Sequence, residues 1–83
     1  MLGHRSQSAI RAIVALAKRR GSAQLSHRLA DESTVPRPYF LKLMGAMVHA
    51  GLITAKRGRR GGYSLKREPA SIRLADIVEI FED

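Results

Sequence analysis

Apolar residues recur along this chain at two spacings, and the change from one to the other maps its elements. Ile10, Ile13, Val14 and Ala17 fall at i, i+3, i+4 and i+7, one stripe of an amphipathic helix. They predict a helix over 8–20. Lys18, Arg19 and Arg20 suit the negative end of its dipole, and Gly21 ends it. Residues 22–25 read as a short connection with a single strand bridge at Ala23–Leu25. Ser26 is placed to cap a short helix over 27–32 whose Leu29 and Ala30 face inward. Ser33, Thr34 and Val35 make a tight turn. Pro36 and Pro38 mark the next helix start, because proline is tolerated only in a first turn. That third helix covers 37–50, with Phe40, Leu43, Met44 and Met47 inward. Its other face carries Arg37, Leu41, Lys42, Gly45 and His49, and no acidic residue.

After Gly51, which caps the third helix, the period shortens. Ile53 and Ala55 alternate with Thr54 and Lys56, and Tyr63 and Leu65 alternate with Ser64, the pattern of strands. Strands are expected over Leu52–Lys56 and Gly62–Lys66, with Lys56-Arg57-Gly58-Arg59-Arg60-Gly61-Gly62 around the tip of the hairpin. Pro69 closes the hairpin. Ile72–Glu82 reads as a last helix, with Leu74, Ile77, Val78 and Phe81 at helical spacing and Ile72 placed to staple onto Ile77. The fold class expected is mainly α with a small β-hairpin, over one domain, 1–83. A short helix, a tight turn and a longer helix form a helix-turn-helix unit, and a hairpin directly after it is a wing.

Charge sharpens this outline. The chain has 83 residues and a net charge of +8. Residues 1–67 hold 14 basic and 2 acidic side chains, and residues 68–83 hold 1 basic and 5 acidic. Such a surplus, confined to the first four-fifths of the chain, calls for a polyanionic partner. There are no cysteines, which excludes a disulfide framework, a thiolate zinc site and an iron–sulfur cluster within these residues. His4, His27 and His49 lack metal-ligand spacing, so no metal and no cofactor are expected. No apolar run nears the roughly 18–20 residues that span a bilayer. The first residues, MLGHRSQSAI, lack a signal-peptide core. The expectation is a cytoplasmic protein with no membrane partner. An enzyme is disfavoured: Gly61-Gly62 is not followed by Lys-Ser/Thr, and Asp31–Glu32 reads as a solvated helix end.

Double-stranded DNA is the partner this arrangement suits. The second helix of such a unit enters the major groove with its N-terminal residues at the base edges. A flexible arginine-bearing wing tip can reach the minor groove or phosphates. Arg37, Pro38, Leu41 and Lys42 are the candidates for base contact, with Tyr39 at a phosphate or packed behind the helix start. Arg57, Arg59 and Arg60 are the wing candidates, helped by Gly61 and Gly62. Ser26, His27 and Arg28 begin the first motif helix, where free N–H groups can hold a phosphate. Two alternatives compete. One is an RNA-binding module using the arginine–glycine tip, disfavoured because Phe40 and Phe81 sit at core spacing and few aromatics remain for a stacking platform. The other is a winged helix used for protein–protein contact, against which the positive charge argues.

The run YFLKLMGAMVHAGLITAKRGRRGGYSL, followed by PASIRLADIVEIFE, resembles the Rrf-two family of bacterial winged helix-turn-helix transcription regulators. The matching features are Tyr39 with a large apolar residue after it, and Ala50-Gly51-Leu52-Ile53 leading into the wing. Arg57-Gly58-x-x-Gly61-Gly62-Tyr63 at its tip and Ile72-x-Leu74-x-Asp76-Ile77 at the last helix complete the match. It runs from about Ala9 to Glu82. The resemblance implies transcription regulation, repression among its modes, by a homodimer reading paired half-sites. The family's long dimerisation helix and its three cluster-binding cysteines belong to a part these residues do not include. Either a truncated or a stand-alone regulator would fit. Two positions depart from the family pattern. Ser8 stands where members commonly carry an aromatic, and Leu41 stands where some carry a glutamate that contacts bases.

Overall fold

The computed structural model describes residues 3–18, 26–57 and 61–82, without the side chains of Ser26 and His27. Its elements follow the expected order. Helix α1 is His4–Lys18, α2 Ser26–Ser33 and α3 Arg37–His49. Strands β1, Ile53–Lys56, and β2, Gly62–Leu65, form the hairpin; a 3-10 turn, Pro69–Ser71, then leads to helix α4, Leu74–Phe81. The bridge expected at Ala23–Leu25 lies outside the described residues, as do Arg19, Arg20 and Gly21.

One core joins all four helices and the base of the hairpin. From α3 it takes Phe40, Leu43, Met44 and Met47, all four at the predicted positions. Leu29 and Ala30 of α2 are buried as expected. Helix α1 departs from the reading. It begins at His4, four residues early, and it buries Ala9, Ala12, Ile13, Ala15 and Leu16, while Val14 is 47% exposed and Ile10 and Ala17 are half-buried. The buried set 9, 12, 13, 16 has the predicted spacing turned back by one residue, about 100°. Packing chose the alanine side. Helix α1 lies against α2, α3, α4 and β2, and small side chains let several elements approach one helix closely. Ser6 and Ser8 are buried too, at opposite edges of this face. Among the described residues, the Ser6 hydroxyl has no hydrogen-bond partner.

The two ends of the described chain are joined. Gly3 donates its backbone N–H to Glu82 Oε1 at 2.7 Å, and Arg5 Nη2 donates to the Phe81 carbonyl at 2.9 Å. Helix α1 has no acidic residue in its own first turn. Glu82, from the far end of the sequence, brings the carboxylate that the positive end of the helix dipole favours.

Two further expectations are corrected near α4. The helix begins at Leu74, because Pro69–Ser71 forms the 3-10 turn and Arg73 is the N-cap. Pro69 thus opens this turn after β2 has ended. Leu74 sits at the first helical position and is 54% exposed; Ile77 and Phe81 carry the burial. The start is pinned by Asp76, which accepts the Arg73 backbone N–H at 2.8 Å and lies 3.5 Å from Arg67 and 3.7 Å from the Arg73 guanidinium. The Arg73 N–H holds the Asp76 carboxyl below its ordinary pKa; desolvation opposes it, and the charges of Arg73 and Arg67 add lesser pulls in the same direction. Helix α2, running Ser26–Ser33, makes Ser26 its first helical residue instead of the cap before it.

Candidate nucleic-acid interface

The turn between α2 and α3 is built from backbone hydrogen bonds. Thr34 N–H donates to the Asp31 carbonyl at 3.2 Å and Val35 N–H to the Ala30 carbonyl at 3.3 Å, the paired bonds of a Schellman stop. The stop needs a left-handed residue, and Thr34 supplies it at φ 60°. For a β-branched side chain this conformation is strained. Ser33 Oγ donates to the Ala30 carbonyl at 3.0 Å and Thr34 Oγ1 to the Ser33 carbonyl at 2.6 Å. Buried Val35 then fixes the exit from the turn.

Helix α3 starts without a side-chain cap and without an acidic residue in its first turn. Its N-cap is Pro36, and Phe40 N–H closes the first turn onto the Pro36 carbonyl at 2.8 Å. Arg37 therefore places a positive charge at the positive end of the dipole, an arrangement that folding alone disfavours. The two faces of α3 differ sharply. Phe40, Leu43, Met44 and Met47 are no more than 2% exposed. Arg37, Pro38, Leu41, Lys42, Gly45 and His49 all face solvent, with no carboxylate among them. Tyr39 lies between the two faces, half-buried against the core.

A second Schellman stop ends α3. Gly51, at φ 84°, donates to the Val48 carbonyl at 3.0 Å, and Leu52 N–H donates to the Met47 carbonyl at 3.1 Å. Gly51 thus does what the sequence reading asked of it. It turns the chain directly into β1, which pairs antiparallel with β2 in the register Ile53↔Leu65, Thr54↔Ser64, Ala55↔Tyr63 and Lys56↔Gly62. A further bond, Lys66 N–H to the Leu52 carbonyl at 3.0 Å, extends the pairing to the limits expected. The two strands are covered unequally: β2 is half-buried along its length, and β1 is exposed after its first residue. Ile53 is buried, but Ala55, expected to alternate inward with it, is exposed along with Thr54 and Lys56. The core contact at this level comes from its partner Tyr63 on β2. The exposed strand faces hold Thr54 and Ser64 hydroxyls 3.0 Å apart.

Two contacts set where the wing lies. Tyr63 packs edge-to-face on Phe40 of α3, with ring centroids 6.3 Å apart and planes at 78°, a geometry aromatic rings favour. Gly61 is buried, and a Cβ there would fall on the backbone of Lys56 and Arg57. Gly61 is glycine because the two chains meet at that point, a requirement of the hairpin itself. Gly62 has a positive φ of 133°, a second backbone reason. The sequence reading assigned this pair to phosphate approach and did not see the steric demand. The available signal was a glycine next to Gly62, the residue that pairs with Lys56 at the end of the first strand.

Of the candidate residues, Arg28, Arg37, Pro38, Leu41, Lys42 and Arg57 are exposed. Tyr39 and Gly62 are half-buried and Gly61 is buried. The side chains of Ser26 and His27, and the whole of Arg59 and Arg60, lie outside the described residues. Among the described residues no group of three His, Asp or Glu side chains could hold a metal ion, and no helix is long and apolar enough to cross a membrane.

A capped helix-turn-helix followed at once by a two-stranded wing defines a winged helix-turn-helix protein. The same architecture occurs, with a TM-score of 0.91, in the solved structure of T. potens IscR, which is 28% identical and matches all of this chain and 61% of that one. The structure of CymR, the global cysteine regulator of B. subtilis, also gives 0.91, at 26% identity, over 99% of this chain and 64% of that one. Residues 2–83 match the Rrf2 family model, described as an iron-dependent transcriptional regulator. The chain belongs to the Rrf2 (Rrf-two) family. Among sequence relatives, the transcriptional regulator IscR of Cereibacter sphaeroides is 35% identical over 71 residues, and CymR of Bacillus subtilis 32% over 71. These relatives are transcriptional regulators and not enzymes. The chain spans about half the length of the curated relatives it matches, 46% of that IscR and 51% of that CymR. The family description implies iron, and these residues do not fit it: they include no cysteine, and no described cluster could replace one.

Proposed function

We propose that this chain binds double-stranded DNA sequence-specifically in transcription regulation, with α3 in the major groove and the wing, residues 56–63, at the minor groove or phosphates. The observation that carries the reading is the division of α3. One face is sealed in the core, and the other presents Arg37, Pro38, Leu41, Lys42, Gly45 and His49 without a single acid. An exposed α-helix of this kind is what a major groove about 12 Å wide admits. The uncapped start of α3, with Arg37 at the positive end of the dipole, supports it too. A phosphate there would relieve a repulsion the fold leaves in place. The family relationship agrees, since the relatives are transcriptional regulators.

RNA recognition by stacking is disfavoured by the aromatic side chains. Phe40 and Phe81 are buried, and Tyr63 is engaged with Phe40. In a homodimer, as the family resemblance implies, two copies of α3 would read paired half-sites.

The test is fluorescence anisotropy with a labelled mixed-sequence duplex, titrated at several salt concentrations beside an RNA of equal length. The expected result is salt-dependent binding that favours the duplex. Arg59→Ala and Arg60→Ala together should flatten the salt slope by about one unit per lost phosphate contact. Lys42→Ala should alter sequence preference more than bulk affinity. Equal binding of RNA, or an unchanged slope in the double variant, would contradict the reading.

A further inference from the structure

We infer that Leu41 reads the 5-methyl group of a thymine in the major groove, across a step that Gly45 leaves open. The inference rests on the DNA reading above and names one base that it would select. Leu41 is 40% exposed, against 2% or less for the four large apolar residues on the buried face of the same helix. An isolated exposed leucine needs no explanation; the position of this one does. It lies one turn into α3, on the arc that also holds Arg37 and Lys42. At about 100° per residue, Gly45 falls between Leu41 and Lys42 and one turn further along. A Cβ built at Gly45 meets nothing within 4 Å. The middle of the exposed face is therefore a gap with an apolar wall on one side and an ammonium on the other.

The chemistry of the base edges selects among possible occupants. In the major groove, guanine, adenine and cytosine present donors and acceptors, while thymine adds the one apolar projection, its 5-methyl. A leucine side chain has neither donor nor acceptor. Set against a polar edge, it strips water and returns no hydrogen bond. Set against the thymine methyl, it removes apolar area from water on both partners. Gly45 lets the helix backbone come close enough for a side chain as short as leucine to reach the groove floor.

The experiment begins by selecting bound sequences from a randomised duplex pool. Each thymine of the selected site is then replaced singly by deoxyuridine, and affinities are measured for the native protein and for Leu41→Ala. One thymine is expected whose demethylation weakens native binding about fourfold, the factor that burial of one methyl implies. At that position Leu41→Ala should bind thymine and uracil alike. Gly45→Leu, which fills the gap at an open helical position, should abolish the same discrimination while thermal melting shows a folded protein. Native binding indifferent to every deoxyuridine, or the same penalty retained in Leu41→Ala, overturns the inference and leaves the DNA reading standing. A pool that yields no bound duplex overturns both.

Discussion

Helix α3 and the wing lie next to each other in the chain, joined by Gly51, yet they are held by opposite means. Helix α3 has a face of four large side chains sunk in the core, and burial of each is worth roughly 1.5–3 kcal/mol. The wing buries Ile53, leaves the rest of β1 in solvent and only half-buries β2. Its placement depends on single features: the Schellman stop at Gly51, the Tyr63–Phe40 ring contact and the bare backbone of Gly61. A recognition helix must keep one rotation about its axis, and redundant packing achieves that. A wing has only to lie in the right place, and a few local constraints suffice. The helix should thus fail through stability and the wing through position.

The largest effect should come where the two meet. Phe40→Ala removes a fully buried ring and the platform for Tyr63. A loss of about 3–5 kcal/mol is expected, measured by urea unfolding. In a domain of this size that is a large part of the total. A loss below 1 kcal/mol would contradict the account of α3. Gly61→Ala comes next. Its methyl would press on the Lys56–Arg57 backbone, and strain of this kind costs about 1–3 kcal/mol. Helical circular dichroism should stay nearly native while duplex affinity falls, because the wing is displaced and the helices are not.

Two substitutions should stabilise. Gly45→Ala adds a methyl into open space on a helix, worth about 1 kcal/mol. Thr34→Gly relieves the left-handed strain at φ 60°. Part of that gain is offset by the freedom glycine brings to the unfolded chain, so roughly 0.5–1 kcal/mol should remain. A higher melting temperature checks both. The smallest effect should be at Asp76. Its folded pKa is lowered from 3.8, so its contribution is present above about pH 4 and disappears as pH falls through the lowered folded value. Asp76→Asn should therefore be less stable than the native chain near pH 7. The gap should close in acid, as paired unfolding curves at both pH values would show.

How much could be read in advance depended on the size of the side chains. In α3 four large residues fall on one stripe and no large competitor faces them except Leu41, so the buried face was legible. In α1 the alanines at 9, 12 and 15 contribute little to any hydrophobic pattern, and the larger Ile10 and Val14 drew the reading 100° the wrong way. Leu74 misled similarly: its spacing fits α4, but the 3-10 turn and the Arg73–Asp76 cap start the helix so late that the residue stays outside. The basic face was plain from residue types, since charge needs no partner to be counted. The steric role of Gly61 was hidden, because it depends on which atoms lie across the hairpin.

The sequence by itself determined the order of the helices and strands, the tight turn before α3, the stop at Gly51, the inward stripe of α3 and the basic character of its outward one. These follow from local backbone preference and periodicity, which act within a few residues. Only the tertiary structure decided which side of α1 is buried, that Glu82 caps the start of α1 from the far end of the chain, and that Tyr63 ties the wing to Phe40. Those outcomes depend on close packing between distant segments, where the space left by one element selects the side chain of another.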